Sequence, residues 1–159
     1  MQGVQPLADV VDVETRSRMM AGIRGKNTGP EIRLRKALHR AGLRYRLHSA
    51  RLPGRPDIVL PKHHAAIFVH GCFWHRHQGC RFATVPKTNE AFWQEKFARN
   101  VKRDKDIIDR LVAAGWRVCI VWGCTIGKDQ NQAIIDQIVS WIARDDATLE
   151  IGSNAAQSA

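Results

Sequence analysis

The chain lacks any apolar run long enough to cross a bilayer, and its polar, acidic N-terminus is unlike a signal peptide. It has only four cysteines, and without a secretion signal so few thiols argue against a disulfide framework. They favour metal binding, catalysis or burial in the core instead. No internal repeat or low-complexity linker divides the chain. These absences predict a cytoplasmic protein without a membrane partner.

The composition predicts one domain of ordinary size. With 159 residues, of which 44% are apolar, and five tryptophans, the chain is long enough to bury a real core. We expect a flexible leader over residues 1–12, a single folded domain over residues 13–143 and a flexible tail over residues 144–159.

The formal net charge of +10 is concentrated in one part of the chain. Between Arg16 and Lys62 there are 13 Lys and Arg residues but only two acids, Glu31 and Asp57. Such a block is the electrostatic footprint of a protein that binds phosphate backbones, although a solvated, solubilising surface is the alternative. Gly and Pro interrupt the block, which disfavours an amphipathic membrane-binding helix. The charge pattern therefore favours nucleic acid as the partner.

The periodicity predicts an α/β fold. A short helix is expected over Glu14–Ile23, and a second one follows Thr28, where Glu31 and Pro30 fit a capping box and Gly42 fits the C-terminal stop. Strands are expected at about 44–48, 58–60, 65–70 and 116–122, a loop at 71–89, and helices at 90–114 and 131–143. This order predicts a mixed central sheet with helices on both faces and a parallel crossover between residues 65 and 122.

Asp57 is the first candidate for chemistry. It follows Gly54-Arg-Pro and opens an apolar strand, where a carboxylate is costly to desolvate unless it meets a cation. Phosphodiester hydrolysis needs such a cation, usually Mg²⁺ on one or two carboxylates. The alternative is an Asp that ends a turn, which is common after Gly and Pro.

Many nucleases of this kind carry an acid-x-Lys on the next strand, and this chain has neither residue there. Val69 could contribute a backbone carbonyl to the metal, while His70 and His75 could replace the lysine in proton transfer. Asp104 on the long helix is the best candidate to orient a histidine, although an ordinary helix-surface charge would explain it equally well. The capping box alone would likewise explain Glu31.

A second set of residues has the types of a zinc site: Cys72, His77, Cys80 and Cys124. The spacing C-x4-H-x2-C is not the usual pair of C-x2-C, and unrelated core or surface cysteines are the alternative. Thiolate-rich ligation favours Zn²⁺, and four protein ligands would make the ion structural. Cys119 is expected in the core, and His39, His48, His63 and His64 are interpreted as surface or packing residues.

Phe73 and Trp74 lie between these metal-ligand candidates. An adjacent aromatic pair in a basic protein can wedge between base pairs, and Met20 and Trp93 could assist from neighbouring elements. Burial in the core is the alternative, and for Trp93 it is nearly as good.

Taken together, these motifs closely resemble the very short patch repair endonucleases, the Vsr-type DNA mismatch nickases. The matching segments are Thr15-Arg-Ser-x-x-Met20, the Glu31 helix, Leu52-Pro-Gly-Arg-Pro-Asp57, Ile67-Phe-x-His-Gly-Cys-Phe-Trp-His75, Phe92-Trp-x-Glu-Lys96, Asn100-Val-x-Arg-Asp104, Gly115-Trp-Arg-Val118 and Val121-Trp-x-Cys124. They span roughly residues 13 to 142 and are specific as a set.

The resemblance implies a restriction-endonuclease-like fold and Mg²⁺-dependent incision of one DNA strand, 5′ to the T of a T·G mismatch left by deamination of 5-methylcytosine. It implies that Asp57 and the Val69 carbonyl hold Mg²⁺, that His75 is the general base oriented by Asp104, and that Glu31 and His70 complete the catalytic set. Met20, Phe73 and Trp74 would intercalate, and Trp93, Lys96 and Asn100 would contact DNA.

The expected enzyme is a monomer that acts on double-stranded DNA and is linked in function to a DNA cytosine-5 methyltransferase. Two alternatives stay open. One is a restriction-type endonuclease of the same fold with another duplex target, and the other is a zinc-stabilised DNA-binding module without catalysis.

Overall fold

The computed structural model describes residues 26–128 and 131–152. Its first helix, α1, spans Gly29–Arg40. The side chain of the N-cap residue Thr28 accepts a hydrogen bond from the Glu31 amide at 3.4 Å, and Gly42 follows the helix with a φ of +88°. The N-cap at Thr28 and the stop at Gly42 are therefore confirmed. The reciprocal half of the predicted capping box is not observed among the described residues, because the Glu31 carboxylate contacts Arg35 and His48 instead. The predicted leader and the predicted helix at Glu14–Ile23 lie outside the described residues.

Five strands form one mixed sheet in the order β1-β2-β3-β4-β5. Their bounds are β1 Arg46–Leu47, β2 Ile58–Leu60, β3 Ala65–His70, β4 Arg117–Trp122 and β5 Thr148–Ile151. The pairs β1–β2 and β2–β3 are antiparallel, whereas β3–β4 and β4–β5 are parallel. Helix α2, Glu90–Ala113, connects β3 to β4. The predicted parallel crossover is confirmed.

The side chains of the central strands alternate between two cores. On one face, Ile67 and Cys119 pack among residues of α1 and of α3, which spans Gln132–Ile142. On the other face, Phe68 and Ile120 pack with Leu111 of α2. Helices therefore cover both faces, and the architecture is the mixed α/β fold of restriction-endonuclease-like proteins, as predicted. Within the described ranges, none of these helices has both the length and the hydropathy to span a membrane.

The fifth strand corrects the predicted tail. Residues 144–159 were expected to be flexible, but Thr148–Ile151 pairs in parallel register with β4, from Val118↔Thr148 to Val121↔Ile151. The guanidinium of Arg117 anchors the connection that precedes this strand by donating hydrogen bonds to the carbonyls of Ile142, at 3.0 Å, and Asp146, at 3.1 and 3.2 Å. Residues 153–159 of the predicted tail lie outside the described part of the chain.

The turn before Asp57 is pressed against α2. Gly54 has a φ of +73°, and a Cβ added there would lie 2.5 Å from Cγ2 of Ile107. Only glycine satisfies both the backbone conformation and this close approach. The turn therefore brings the start of β2 beside the middle of α2.

Candidate active site

The topology brings the predicted catalytic side chains to one edge of the sheet. Because β2 is antiparallel to β3, its first residues lie beside the last residues of β3. Asp57 at the start of β2, His70 at the end of β3, His75 in the following loop and Asp104 on α2 all line one cavity of about 850 Å³. Their shared cavity agrees with the sequence analysis, while their individual roles stay predictions.

The Asp57 carboxylate is buried and held in place by the neighbouring strand. Its Oδ2 accepts a hydrogen bond from the Val69 amide at 2.8 Å. Burial raises the pKa of Asp57 to about 6, against the opposing effect of the Val69 hydrogen bond, and the nearby Glu31 raises it further. A buried carboxylate with this pKa gains from a nearby cation.

His75 and Asp104 form the tightest contact between charged or titratable groups in the cavity. Nδ1 of His75 lies 2.6 Å from Oδ2 of Asp104. The carboxylate fixes the proton on Nδ1 and leaves Nε2 as the nitrogen that can exchange protons. The ring of His70 stacks on that of His75, with centroids 3.9 Å apart and planes 7° from parallel. Burial, together with the charge of His75, lowers the pKa of His70 to about 3, so this ring is neutral.

Glu31 lies beside the cavity in a polar cluster that the sequence analysis missed. Its carboxylate is 2% exposed, contacts Arg35 one turn later on α1, and lies 3.1 Å from Nε2 of His48. Donor atoms of Glu31, His48 and Asp57 all lie within 4.8 Å of one another. His48, which was interpreted as a surface or packing residue, lines the cavity and contacts Glu31. No sequence motif includes it, and only its place after β1 brings it to the cavity.

Three cations also line the cavity: Lys26, Arg55 and Arg103. The sequence analysis counted Lys26 and Arg55 in the basic block and included Arg55 and Arg103 in the matching segments, but it gave none of the three a role. Their convergence from three segments places three positive charges at the cavity, as contacts with a phosphate backbone would require.

The four predicted zinc ligands lie together at the same edge of the sheet. Ligand atoms of Cys72, His77, Cys80 and Cys124 all lie within 4.8 Å of one another. Because β3 and β4 are parallel, the loop after β3 and the turn after β4 meet there. Nδ1 of His77 lies 3.4 Å from the sulfur atoms of both Cys72 and Cys124. We call these four residues the thiol cluster.

The second nitrogen of His77 is fixed by the end of β5. Nε2 lies 2.5 Å from the Gly152 carbonyl, to which it donates its proton. Nδ1 is therefore unprotonated and faces the sulfurs, as a metal-binding imidazole requires. Gly152 has a φ of +100°, and a Cβ there would lie 2.5 Å from Thr125, so this contact depends on glycine.

Burial and the neighbouring thiols shift the pKa values of the three cysteines in different directions. Burial raises the pKa of Cys72, and burial together with the other two thiols raises that of Cys124 to about 12. Burial also opposes ionisation of Cys80, but hydrogen bonds from the Phe82 amide and from the two neighbouring thiols leave its pKa lowered. A divalent cation would stabilise all three thiolates at once, so the donor set fits a metal. Cys119, fully buried in the core, has a pKa raised by burial alone and lies outside the cluster.

Trp122 separates the thiol cluster from the catalytic cavity. Its ring stacks on His77, with centroids 4.4 Å apart and planes 7° from parallel, and meets His70 edge-on at 5.3 Å. Its indole nitrogen donates to Glu150 of β5 at 2.7 Å. One buried aromatic side chain therefore contacts a histidine of each site.

The predicted wedge residues form an aromatic cluster next to the cavity. The ring of Phe73 lies 5.0 Å from Trp74 and 5.6 Å from Trp93. Nζ of Lys96 lies 5.4 Å from the Trp74 ring and 5.6 Å from the Trp93 ring. Asn100 donates to the Trp74 carbonyl at 3.1 Å, so it holds the loop that carries the aromatics. Met20 lies outside the described residues.

Comparison with the sequences of known proteins identifies relatives of this chain. The family model of DNA mismatch endonuclease Vsr matches residues 8–81. The chain is 43% identical to the DNA mismatch endonuclease Vsr of Escherichia coli (strain K12) over 148 residues, which cover 91% of this chain and 94% of that protein. It is 45% identical to the type II nicking enzyme V.XorIIP of Xanthomonas oryzae pv. oryzae over 120 residues, covering 76% of this chain and 88% of the relative. It is also 37% identical to the type II nicking enzyme V.NmeAIP of Neisseria meningitidis over 139 residues, covering 87% and 96%. The chain belongs to the DNA mismatch endonuclease Vsr family and is an endodeoxyribonuclease.

Proposed function

We propose that this endonuclease nicks one strand of duplex DNA, 5′ to the T of T·G mismatches that arise by deamination of 5-methylcytosine, and that it requires Mg²⁺. The observation that carries the proposal is the cavity in which Asp57 lies with the His75–Asp104 pair, because it combines a carboxylate for a metal with an oriented base. The match to a DNA mismatch endonuclease supports the mismatch target.

The residues around Asp57 fit a hard divalent ion. Oδ2 is engaged by the Val69 amide, and no described residue donates a hydrogen bond to Oδ1, which leaves that oxygen for a metal. The Val69 carbonyl would be a second protein ligand. Mg²⁺ bound there would neutralise charge on the phosphoryl group and lower the pKa of bound water.

His75 acts as the general base. Asp104 keeps a proton on Nδ1, and Nε2 takes a proton from the attacking water, whose oxygen forms a bond to phosphorus while the bond from phosphorus to the leaving sugar oxygen breaks. The leaving oxygen takes up a proton from solvent water as it departs. Neutral His70 holds the plane of the His75 ring by stacking, and Glu31 contributes negative charge beside Asp57.

The thiol cluster binds a structural Zn²⁺. Three sulfurs and the unprotonated Nδ1 of His77 make a four-ligand set with no position left for water or substrate. Closing this set would tie the loop after β3 to the ends of β4 and β5. The role of the ion is to hold the loop that carries His75.

DNA is held by charge and by the aromatic cluster. Lys26, Arg55 and Arg103 at the cavity would contact phosphates, and Phe73, Trp74 and Trp93 would enter the base stack with Met20. Lys96 and Asn100 would assist from α2. A mismatched pair is the cheapest to unstack, so a wedge at this place would itself favour mismatches. The enzyme would act as a monomer after a DNA cytosine-5 methyltransferase has modified the site.

A second candidate function has a specific observation in its favour. Several relatives are named type II nicking enzymes, among them those of Xanthomonas oryzae and Neisseria meningitidis. This is consistent with cleavage of one strand and leaves room for a restriction-type enzyme with another duplex target. A zinc-stabilised DNA-binding module without catalysis fits poorly with membership of an endonuclease family.

The test uses end-labelled duplexes that differ only at one pair, T·G or T·A, in several sequence contexts, with Mg²⁺ or EDTA. We expect nicks only on the T strand of T·G duplexes, only with Mg²⁺, and mapping immediately 5′ to the T. Equal cutting of matched duplexes would overturn the mismatch target and leave the nuclease in place.

Asp57→Ala tests the proposed metal site, and Asp109→Asn is its matched control. Asp57→Ala should lower cleavage by at least about 10³-fold, because several kcal/mol of charge stabilisation is lost, while DNA binding is kept. Asp109 on the outer face of α2 is 61% exposed, and its variant should cleave normally. Unchanged cleavage by Asp57→Ala would exclude the proposed metal site.

A further inference from the structure

Arg76 lies between the proposed base His75 and the zinc-ligand candidate His77, at a point where the backbone turns. Its φ is +58°, a left-handed conformation that is uncommon for residues other than glycine. The amides on either side donate to different carbonyls, that of His75 to Gly71 and that of His77 to Cys72, each at 3.0 Å. A residue with a side chain keeps this conformation only where its surroundings hold it, so the contacts of Arg76 must stabilise the turn.

The guanidinium of Arg76 joins three parts of the chain. Nη1 donates to the carbonyl oxygens of Phe73, at 3.1 Å, and Thr84, at 3.0 Å, and Nη2 donates to that of Ala83 at 2.8 Å. Cζ lies 3.9 Å from the centre of the Phe97 ring on α2. A planar guanidinium combines several donors in fixed directions with a face that stacks on a ring. The side chain therefore connects the loop that carries Phe73, the segment at 83–84 and the long helix.

No acidic partner accounts for the half-buried position of this cation. Among the described residues, none of the ion pairs includes Arg76. Burial lowers the pKa of its guanidinium from the ordinary value, yet the group keeps its proton at neutral pH. The desolvation of the charge is offset by carbonyl dipoles and an aromatic face instead of a carboxylate. Such contacts fix the positions of the backbone and the ring around the cation.

The loop residue that Arg76 holds, Phe73, lies at the centre of the aromatic cluster. Its ring lies 5.0 Å from that of Trp74, 5.6 Å from that of Trp93 and 5.2 Å from that of Phe97, which is only 3% exposed. Insertion of a wedge must offset the free energy that is lost when stacked bases separate. Rings that are already ordered lose less conformational entropy on insertion, so an ordered wedge enters the stack more readily.

Insertion is also the step that distinguishes a mismatched duplex. The cations at the cavity attract the phosphates of any sequence, so they hold matched and mismatched DNA alike. The wedge enters most easily where a base pair is already weak. If its rings were loose, a T·G duplex would be held by charge alone, as a matched duplex is. Discrimination would then fall without a loss of general DNA binding.

We propose that Arg76 is a positioning residue for the aromatic wedge: its guanidinium holds Phe73 against Phe97 before DNA binds, and this order makes insertion at a mismatch favourable. The inference rests on the proposed function, because it assumes that the aromatic cluster enters the base stack. It adds a specificity-determining residue that acts through Phe73. Proton transfer depends on other contacts, since Asp104 and the Gly71 carbonyl hold His75 independently of Arg76.

The test measures binding and base unstacking with zinc-loaded protein and duplexes that differ only in a T·G or T·A pair. A 2-aminopurine next to that pair becomes brighter when it is unstacked, and Ca²⁺ replaces Mg²⁺ so that the duplex stays whole. Arg76→Met keeps the length of the side chain and removes the guanidinium. It should bind the T·G duplex about 10-fold more weakly, with about half the 2-aminopurine signal at saturation, and bind the T·A duplex as wild type does.

Single-turnover cleavage with Mg²⁺ separates positioning from chemistry. In Arg76→Met, the enzyme concentration that gives half the maximal rate on a T·G duplex should rise about 10-fold, while the maximal rate should change by less than about 3-fold. This division is expected because His75 and Asp104 remain paired in the variant.

Arg81→Met is the matched control. Arg81 belongs to the same loop, is exposed and has its guanidinium 4.7 Å from the Phe82 ring, so the substitution removes an equal charge without disturbing Phe73. It should match wild type in binding, unstacking and cleavage. Circular dichroism and zinc content show whether each variant is folded and loaded. If Arg76→Met is not, Arg76→Lys takes its place, because it keeps the charge but loses the planar fork, and it too should lose affinity for the T·G duplex.

Two sets of results would overturn the inference and leave the proposed function in place. One is a wild-type preference for T·G and a wild-type 2-aminopurine signal in the folded Arg76 variant. The other is an equal loss of affinity for both duplexes, or the same loss in Arg81→Met, which would assign the effect to the fold or to charge. Wild-type protein that neither prefers T·G nor unstacks the neighbouring base would instead overturn the wedge of the proposed function.

Discussion

His75 and His77 are two residues apart in one loop, yet they belong to two different sites. Nδ1 of His75 donates a hydrogen bond to the Asp104 carboxylate at 2.6 Å, so Nε2 is the nitrogen that can exchange protons. Nε2 of His77 donates a hydrogen bond to the Gly152 carbonyl, and Nδ1 faces the sulfur atoms of Cys72 and Cys124. The same side chain is thus suited to act as a base in one place and as a metal ligand in the other. The partner of the second nitrogen makes the difference.

The two sites also differ in the chemical type of the side chains that surround each histidine. The cavity of His75 contains carboxylates, imidazoles and cations, which suit a hard metal and a phosphate. The thiol cluster offers soft sulfur ligands and little else, and suits Zn²⁺. A short loop can therefore serve two metals when the strands that flank it bring different partners to its two ends.

Among the substitutions that test this comparison between the two sites, loss of the proposed base should change the cleavage rate most. His75→Ala should lower the cleavage rate by about 10² to 10⁴-fold, because the attacking water loses its proton acceptor. Single-turnover rates on a T·G duplex at saturating enzyme measure this. Substitution of His63, half-buried at the opposite end of β3 from the cavity, is the matched control and should leave the rate unchanged. A His75→Ala enzyme as fast as wild type would show that another group is the base.

Substituting a member of the thiol cluster should reduce the stability of the protein more than its activity. Cys72→Ser should lose stoichiometric zinc and lower the melting temperature by about 10 °C, since several kcal/mol of metal binding is lost and each kcal/mol moves the melting temperature by about 2 to 4 °C at this size. Metal content by atomic absorption and thermal unfolding measure the two effects.

Cys119→Ala is the control for that variant, because its thiol is buried in the core away from the cluster. It should keep its zinc, although the smaller side chain will cost some stability. Wild-type protein without zinc, or a Cys72→Ser protein that retains it, would contradict the structural site.

The smallest expected effect concerns Trp122, which contacts both histidines. Trp122→Phe keeps an aromatic ring but loses the hydrogen bond to Glu150, at a cost of about 0.5 to 1.5 kcal/mol in the free energy of unfolding. Urea unfolding measures this cost, and the cleavage rate should fall only a few-fold.

Glu150→Gln is the matched control because its amide oxygen can still accept from the indole. If the loss in Trp122→Phe comes from the hydrogen bond, Glu150→Gln should be nearly as stable as wild type. Equal destabilisation by both variants would assign the effect to packing or charge instead.

Local patterns were sufficient for most of the secondary structure. The N-cap at Thr28 and the apolar strands at 58–60 and 65–70 depend on near neighbours in the chain, and each is confirmed. Strand β5 was missed because Thr148–Ile151 is short, includes Glu150 and lies outside every matched motif. It becomes a strand because β4 offers a free edge in register.

The residues of the candidate site likewise fall into those that the sequence predicted and those that only the structure revealed. Residue types and spacing pointed to Asp57, His75 and the four members of the thiol cluster. Carboxylates, imidazoles and thiols can bind metals or exchange protons in any fold, so their presence in a motif already suggests a site. They did not identify Arg35 or His48, which are common surface residues by composition. Their contacts with Glu31 depend on the direction in which α1 and the turn after β1 orient the side chains.

The sequence by itself determined which chemistries are possible: the acid that opens β2, the histidines and thiols of the loop, the basic segment and the alternation that buries β3 and β4. Only the tertiary structure decided which groups work together. Parallel pairing of β3, β4 and β5 brings their ends to one edge, and there Asp104 meets His75 and Gly152 meets His77. Such pairings join residues that are distant in the chain or lie on separate elements, and they follow from packing geometry that no local pattern encodes.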